Sequence, residues 1–340
     1  MAKTLVGLEI TEESVRAVEV SAGRTPTLLA RGEIALPPGA AKDSEVLDLD
    51  AVAVALRQLW TRAGIKGRKV VLGIGSRRIL VREYTTTAMR PDLLRQALPF
   101  QVQDLLPVPV DQAVLDFYPV SQQDDQVTGL LVAAVSETVE GMIAAIAKAK
   151  LTVERVDLVP FGLARIAHTL APDGGAVGMI HVGDHTSYVV VAANGVPRFL
   201  RIIPVDVATA AARAHQAEAP ATTETEEAPG GHGASAMPLR SRFSRADGLD
   251  SAISDLTSRL GATVAFYRDR VDATPSTAVY FSGAGIAVPG VVEALEPAIA
   301  VTPTVLTLPS FIKCAEPFES QGDADLNFVT TIGILLGGKS

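Results

Sequence analysis

The same three-strand pattern occurs twice in this chain, and this repeat constrains the fold more than any other feature. The first copy reads "TLVGLEI", "VRAVEV" and "TLLARGEIALP", and the second reads "GMIHV", "SYVVVA" and "RFLRIIPV". Short β-branched and apolar runs bounded by turn residues are typical of strands in a meander. The alignment matches Glu9 with His181 and Ser14 with Thr186. Because the period is far too long for a solenoid, the repeat predicts two related α/β lobes.

The composition narrows the class of protein. A length of 340 residues suffices for two domains, and 48% hydrophobic residues with 5% aromatics predict a core of Val, Ala, Leu and Ile. A net charge of −8 provides no positive field for nucleic acid. The single Cys314 fits a reducing compartment, and no apolar run reaches the roughly 18 residues of a membrane span. We therefore expect a cytoplasmic, acidic protein that does not bind nucleic acid.

The segments around the meanders suggest a division into domains. A strand, a helix, two strands and a further helix form a separate α+β unit over residues 84–154. We expect the first lobe to contain residues 1–83 plus about 155–173, and the second lobe to contain residues 174–340. Residues 216–248 are rich in Ala, Pro, Gly, Thr and Glu, which predicts a disordered loop within the second lobe.

A glycine-rich turn follows a strand near the C-terminus, in "AVYFSGAGIAVPGVVEAL". Gly283, Gly285 and Gly290 superficially suggest a dinucleotide-binding loop, in which glycines let the backbone approach a pyrophosphate. Four residues separate the last two glycines, whereas the fingerprint requires two. The spacing therefore argues against a Rossmann cofactor site.

His181, Asp184 and His185 spell H-x-x-D-H, which is close to an inverted zinc-protease signature. That chemistry needs both histidines on one face of a helix, with a glutamate as the base. Here the motif spans the end of a predicted strand and a turn, so this pattern does not predict such a zinc site.

The first turn, "EITEES", places Glu9, Glu12 and Glu13 beside Ser14. These residues suit a solvated β-turn. They also suit a loop in which carboxylates hold magnesium while hydroxyl and amide groups hold phosphate. The residues alone leave both interpretations open.

Several long segments resemble one family. Two meanders followed by a strand, a glycine turn and a helix resemble the ATPase fold of actin and hexokinase. Within that fold, "VGLEITEESVRAVEV" resembles the first phosphate loop of the PilM type IV pilus assembly proteins. The segments "ALPFQVQDLLPVPVDQAVLDFYPV" and "VEGMIAAIAKAKLTVERVDLVPFGLARI" are similar to their inserted subdomain and to the connection back to the first lobe. "LTSRLGATVAFYRDR" and "AVYFSGAGIAVPGVVEAL" are similar to their helix and turn on the adenosine side.

This resemblance implies an α/β, actin-like two-lobed ATPase fold with an inserted α+β subdomain of the SHS2 type. It also implies a cytoplasmic scaffold of the type IV pilus assembly machinery. The expected partners are the N-terminal cytoplasmic tail of a single-span PilN-type membrane protein and other pilus assembly components. The tail would lie in a groove between the first lobe and the inserted subdomain, and would hold the chain at the inner face of the cytoplasmic membrane.

The resemblance further implies ATP and Mg²⁺ between the lobes. On the matching positions, Glu9 would reach Mg²⁺ through water. The phosphates and the adenosine would lie against the two meander turns and the late glycine turn, which contain Thr11, Glu12, Ser14, Gly183, Asp184, Thr186, Gly283, Ala284 and Gly285.

The chain departs from the family pattern in both meander turns. Thr11 stands where a small glycine is expected, and His181 stands where an acidic residue is expected. We therefore expect weakened ATP binding and weak or absent hydrolysis, because phosphoryl transfer needs a well-held metal ion.

Two alternative functions stay open. An FtsA-like cell-division filament protein has the same fold but usually ends in a basic amphipathic helix, whereas this chain ends "GILLGGKS". An active ATPase or kinase would need a catalytic aspartate and a sugar pocket, and the sequence offers no candidate for either.

Overall fold

The computed structural model describes residues 3–43, 45–218, 240–270, 273–299 and 301–337, with side chains described outside 240–250. The strands in this part of the chain are β1 (Thr4–Ile10), β2 (Ser14–Ser21), β3 (Thr27–Ala35), β4 (Ala41–Lys42), β5 (Glu45–Val46), β6 (Lys69–Ile74), β7 (Leu80–Thr87), β8 (Ala113–Gln123), β9 (Gln126–Val135), β10 (Thr152–Leu158), β11 (Ala176–Val182), β12 (Thr186–Ala193), β13 (Val196–Pro204), β14 (Ser276–Ser282), β15 (Thr304–Val305) and β16 (Lys313–Cys314). The α-helices are α1 (Leu49–Ala63), α2 (Pro91–Val102), α3 (Ser136–Lys148), α4 (Val159–Leu170), α5 (Ala210–Glu218), α6 (Arg240–Arg268), α7 (Val291–Leu295) and α8 (Phe328–Gly333).

The first meander forms the centre of a six-stranded mixed sheet with the order β10-β6-β1-β2-β3-β16. Strand β1 pairs antiparallel with β2 and parallel with β6. In this register Glu9 lies directly opposite Arg16. Opposed residues of antiparallel strands project to the same face, so these two side chains are neighbours.

The second meander builds a sheet of the same design, with the order β13-β12-β11-β14-β15. Strand β11 pairs antiparallel with β12 and parallel with β14, as β1 does with β2 and β6. His181 lies opposite Tyr188, in the register that sets Glu9 opposite Arg16 in the first sheet. The alignment of the two meanders in sequence is therefore reproduced in the backbone.

Within the described residues, strands β7, β9 and β8 form a separate three-stranded antiparallel sheet, in the order β7-β9-β8, which is not hydrogen-bonded to either large sheet. Helix α2 buries Leu98 and Val102 against Leu131 of this sheet. The sheet begins at Leu80, slightly before the expected boundary at 84, and helix α3 packs with α1 in the core of the first lobe. The sequence shows that α3 is amphipathic but not which neighbour its apolar side faces.

The C-terminal segment returns to the first lobe, although the sequence analysis assigns it to the second. Strand β16 pairs parallel with β3, and helix α8 packs against α4 and β2. Phe328, Ile332 and Leu335 are buried in the same core as β1 and β2. Apolar residues at helical spacing can be buried against either sheet, and only the tertiary packing selects one.

The predicted disordered loop over residues 216–248 lies largely outside the described residues, and its two described ends are helical. Residues 219–239 lie outside the described residues, 216–218 end helix α5, and 240–248 begin helix α6. A helix anchored by buried Leu256 and Leu260 can extend into a segment whose composition predicts disorder, because helix propagation costs less free energy than nucleation. Neither α6 nor any other helix in the described part of the chain is long and apolar enough to cross a membrane.

Candidate functional site

The β1–β2 turn and the β11–β12 turn face each other across a cavity of about 60 Å³ between the lobes. The cavity is lined by Glu9, Ile10, Thr11, Glu12, Glu13, Arg16, Asp43, Gly73, Gly75, His181, Gly183, Asp184, His185, Thr186 and Tyr188. The structure thus brings together all the predicted residues of the two turns except Ser14.

Glu9 is buried and is held by the C-terminal helix. Its Oε1 accepts hydrogen bonds from the hydroxyls of Thr330 (2.9 Å) and Thr331 (2.6 Å). Burial raises the pKa of Glu9, against the opposing effects of Arg16 and the two hydroxyls. The carboxylate predicted to reach Mg²⁺ is therefore engaged by the protein's own groups, which the sequence analysis missed.

Arg16 is the main residue of this site that the sequence analysis missed. Its buried guanidinium lies 3.5 Å from Glu33 Oε1 and, across the lobe boundary, 3.6 Å from Asp184 Oδ2. Burial lowers the pKa of Arg16, but the surrounding carboxylates outweigh that effect and raise it. The cleft thus contains a fixed cation of the chain itself. The signal that could have found it is the antiparallel register, which sets Arg16 opposite Glu9.

Thr11 and Ser14 of the first turn are hydrogen-bonded within the first lobe. Thr11 N–H donates to the Ser14 carbonyl (2.8 Å), and Ser14 N–H donates to Thr11 Oγ1 (3.1 Å). Ser14 Oγ donates to Glu33 Oε1 (2.5 Å). Groups expected to donate to phosphate therefore already have partners.

The second turn is also closed on itself. Gly183 N–H donates to the Thr186 carbonyl (3.2 Å), and a Cβ on Gly183 would lie 2.6 Å from that oxygen, so the turn requires glycine. Asp184 is buried, and its Oδ1 accepts from Thr209 Oγ1 (2.5 Å). Its other oxygen faces Arg16. Asp184 therefore serves as the counter-charge of Arg16.

His185 connects the two lobes through carboxylates. Its Nε2 contacts Glu13 Oε1 directly and lies 4.0 Å from Glu12 Oε2, while Nδ1 lies 2.7 Å from Asp206 Oδ1. Burial lowers the pKa of His185, but the hydrogen bonds to Glu13 and Asp206 outweigh this and raise the pKa to about 9. The H-x-x-D-H motif itself spans a strand end and a turn.

His181 occupies the position where the resemblance expects an acid. Its Nδ1 lies 3.0 Å from Ser282 Oγ, and its ring stacks on Tyr188 at 5.6 Å between centroids. Burial and the nearby Arg16 lower the pKa of His181 to about 3. The Tyr188 hydroxyl donates to the Gly75 carbonyl (2.6 Å). His181 is therefore a neutral side chain of a buried polar cluster.

The late glycine turn packs on the end of β11. Gly283 has a φ of 89°, and a Cβ there would overlap the carbonyl oxygen of Val182. A Cβ on Gly285 would likewise overlap the Val182 side chain, and Ala284 N–H donates to Asn327 Oδ1 (2.9 Å). The structure does not bring these three residues into the lining of the 60 Å³ cavity.

The cavity suits a cation better than an anion. Its lining carries more carboxylates (Glu9, Glu12, Glu13, Asp43 and Asp184) than cationic side chains (Arg16 and His185). Phosphate groups would meet this excess negative charge. The volume is also small beside the roughly 300–1,000 Å³ of typical ligand sites.

A second cavity, of about 470 Å³, lies in the inserted unit between α2 and β8. Its apolar lining includes Leu94, Leu98, Leu115, Phe117 and Val127. Strand β8 is at the edge of its sheet. The site therefore combines an apolar pocket with a strand edge.

Two lobes with duplicated sheets, facing turns at their boundary and an inserted α+β unit define an actin-like ATPase fold. The sequence matches the family described as "Type IV pilus assembly protein PilM" over residues 7–205. The chain belongs to this family, as the sequence analysis predicts.

Solved structures agree on the fold. The chain is similar to a PilM–PilN type IV pilus biogenesis complex, with 22% identity, coverage of 97% of each chain and a TM-score of 0.78. It is also similar to the ethanolamine utilization protein EutJ from Carboxydothermus hydrogenoformans, with 14% identity, coverage of 99% of this chain and 91% of that chain, and a TM-score of 0.52. The predicted fold class is confirmed.

Proposed function

We propose that this protein is a scaffold of type IV pilus assembly that binds the N-terminal cytoplasmic tail of a PilN-type membrane protein. The observation that carries the proposal is the family match over residues 7–205, which favours pilus assembly over the FtsA-like and kinase alternatives. The likeness to a solved PilM–PilN complex supports it. Bound to such a tail, the chain would stay at the inner face of the cytoplasmic membrane beside other pilus components.

The inserted unit offers a place for the tail. The cavity at its junction with the first lobe, where the resemblance puts the groove, is only about 10 Å³ and is lined by Ile79, Arg78 and Met142 among others. The cavity of about 470 Å³ lies beside edge strand β8. An extended peptide can pair with a sheet edge while its alternate side chains enter pockets. We therefore place the tail along β8 and α2.

Binding of a synthetic PilN tail peptide to the full-length chain tests the proposal by calorimetry. Leu94 lines the large cavity, so Leu94→Glu should weaken peptide binding by about 10-fold or more. Leu93→Glu, at an exposed neighbour that is not part of that lining, is the matched control and should bind normally. Loss of peptide binding in Arg78→Glu, with normal binding in Leu94→Glu, would instead indicate that the tail binds in the junction groove. Absence of binding to the folded wild-type chain would contradict the proposed function.

In this proposal the scaffold role does not depend on ATP. The Arg16–Asp184 pair in the cleft and the small cavity support this view. The contacts with ATP and Mg²⁺ that the family resemblance implies stay a prediction. Titration of the protein with ATP and Mg²⁺ tests them, and micromolar binding that changes the affinity for the PilN peptide would contradict an ATP-independent scaffold.

A further inference from the structure

Three side chains from the two facing turns converge at a place outside the proposed tail site on β8 and α2. Glu12 and Glu13 come from the first lobe and His185 from the second, and one donor atom of each lies within 4.8 Å of the others. His185 Nε2 contacts Glu13 and lies 4.0 Å from Glu12 Oε2. These donors, unlike the histidines of the H-x-x-D-H motif, come from both lobes.

One oxygen of this cluster has no partner. Glu13 is only 4% exposed, and among the described residues its Oε2 accepts no hydrogen bond. A buried carboxylate oxygen without a partner costs free energy, because it has lost water without compensation. The orphaned oxygen belongs to the same carboxylate whose Oε1 contacts the His185 imidazole, which indicates that a positively charged ligand would compensate it.

The histidine is held in the orientation that metal ligands adopt. Asp206 Oδ1 lies 2.7 Å from His185 Nδ1, which directs Nε2 towards the two glutamates. A carboxylate that accepts from the remote nitrogen is the usual support of a metal-binding histidine. Glu12 is held from the first lobe, where its Oε2 accepts from the backbone N–H of Asp43 (3.3 Å).

We propose that Glu12, Glu13 and His185 bind a divalent metal ion such as Zn²⁺, and that this ion joins the two lobes. An imidazole nitrogen with two carboxylates favours Zn²⁺ over Mg²⁺, which prefers oxygen donors. The Nε2 proton passes to solvent as the metal–nitrogen bond forms, and water completes the coordination. Donors of a tetrahedral zinc site lie about 3.4 Å apart, so Glu12 must approach and the Glu13 contact must lengthen. The site needs neither ATP nor Glu9.

Titration of the metal-free, full-length chain with ZnCl₂ and with MgCl₂ tests the inference. We expect one Zn²⁺ per chain, a rise in melting temperature on binding, and no stoichiometric Mg²⁺. Glu13→Gln and His185→Gln should abolish Zn²⁺ binding. Asp206→Asn should weaken it by about 10- to 100-fold, because only the support of the histidine is lost. His215→Gln changes a histidine outside this cluster and should have no effect.

Absence of stoichiometric Zn²⁺ binding to the folded wild-type chain would overturn the proposal and would leave His185 as a protonated ion-pair partner of the glutamates. A Zn²⁺ affinity unchanged from the wild type in both Glu13→Gln and Asp206→Asn would also overturn it. Should the buried Glu13→Gln variant fail to fold, Asp206→Asn decides, because the Asp206 side chain is 72% exposed. PilN peptide binding measured on the same samples separates failure of this site from failure of the scaffold function.

Discussion

Acid should destabilise this protein through one buried histidine. His181 is 3% exposed and lies between Ser282, the Tyr188 ring and the Arg16 charge, so a proton on its ring would be both desolvated and repelled. These effects lower the pKa of His181 to about 3 in the folded chain. In the unfolded chain the pKa is about 6.5. The unfolded state therefore binds a proton first as the pH falls.

The size of the effect follows from linkage. A histidine with a lowered folded-state pKa contributes no penalty above the unfolded pKa, and stability is lost as the pH falls from about 6.5 towards the folded pKa of about 3. Each pH unit in this window costs about 1.4 kcal/mol. Lowering the pH from 7 to 5 should therefore cost about 2 kcal/mol through His181.

His181→Gln removes this titration while keeping a polar side chain beside Ser282. Urea denaturation of the wild type and the variant, at pH 7 and at pH 5, isolates the contribution because the other groups titrate in both proteins. The wild type should lose about 2 kcal/mol more than the variant. His168→Gln, at an exposed histidine of α4, is the control and should match the wild type. An equal loss in the wild type and His181→Gln would refute the reasoning.

Two further substitutions test how the cleft is held together, each read as the free energy of unfolding in urea. Arg16→Met should destabilise the fold by about 3–5 kcal/mol, because Glu33 and Asp184 lose a buried counter-charge. Gly283→Ala should cost about 3 kcal/mol or more, because its φ of 89° disfavours a side chain and the new Cβ would overlap the carbonyl of Val182.

Matched controls separate these effects from the chemistry of the substitution. Arg24→Met removes an exposed arginine and should change stability by no more than about 0.5 kcal/mol. Gly39→Ala has a comparable φ of 82° with open space around the new Cβ, so it should cost only about 1 kcal/mol. A cost for Gly283→Ala no larger than that for Gly39→Ala would show that the close approach to Val182 is unimportant. An Arg16→Met variant as stable as Arg24→Met would contradict the counter-charge role.

Local signals made much of the fold predictable. Period-two apolar runs around short turns define both meanders, and the aligned residues Glu9 and His181 occupy equivalent positions in the two sheets. Helix α1 begins after Asp48, whose side chain caps the first turn, and ends at Ala63, which Gly64 follows in the left-handed conformation. Such signals lie within a few residues of the elements they define. The same register could also have identified Arg16, because it fixes which side chain lies opposite Glu9.

The sequence by itself determined two related lobes, an inserted unit and two turns that face one another. Only the tertiary structure decided the chemistry between them. Glu9 meets Thr330 and Thr331, more than 300 residues away, because the C-terminal helix returns to the first lobe. Arg16 meets Asp184 across the lobe boundary because buried charges require partners, and local sequence does not say which distant residue supplies one.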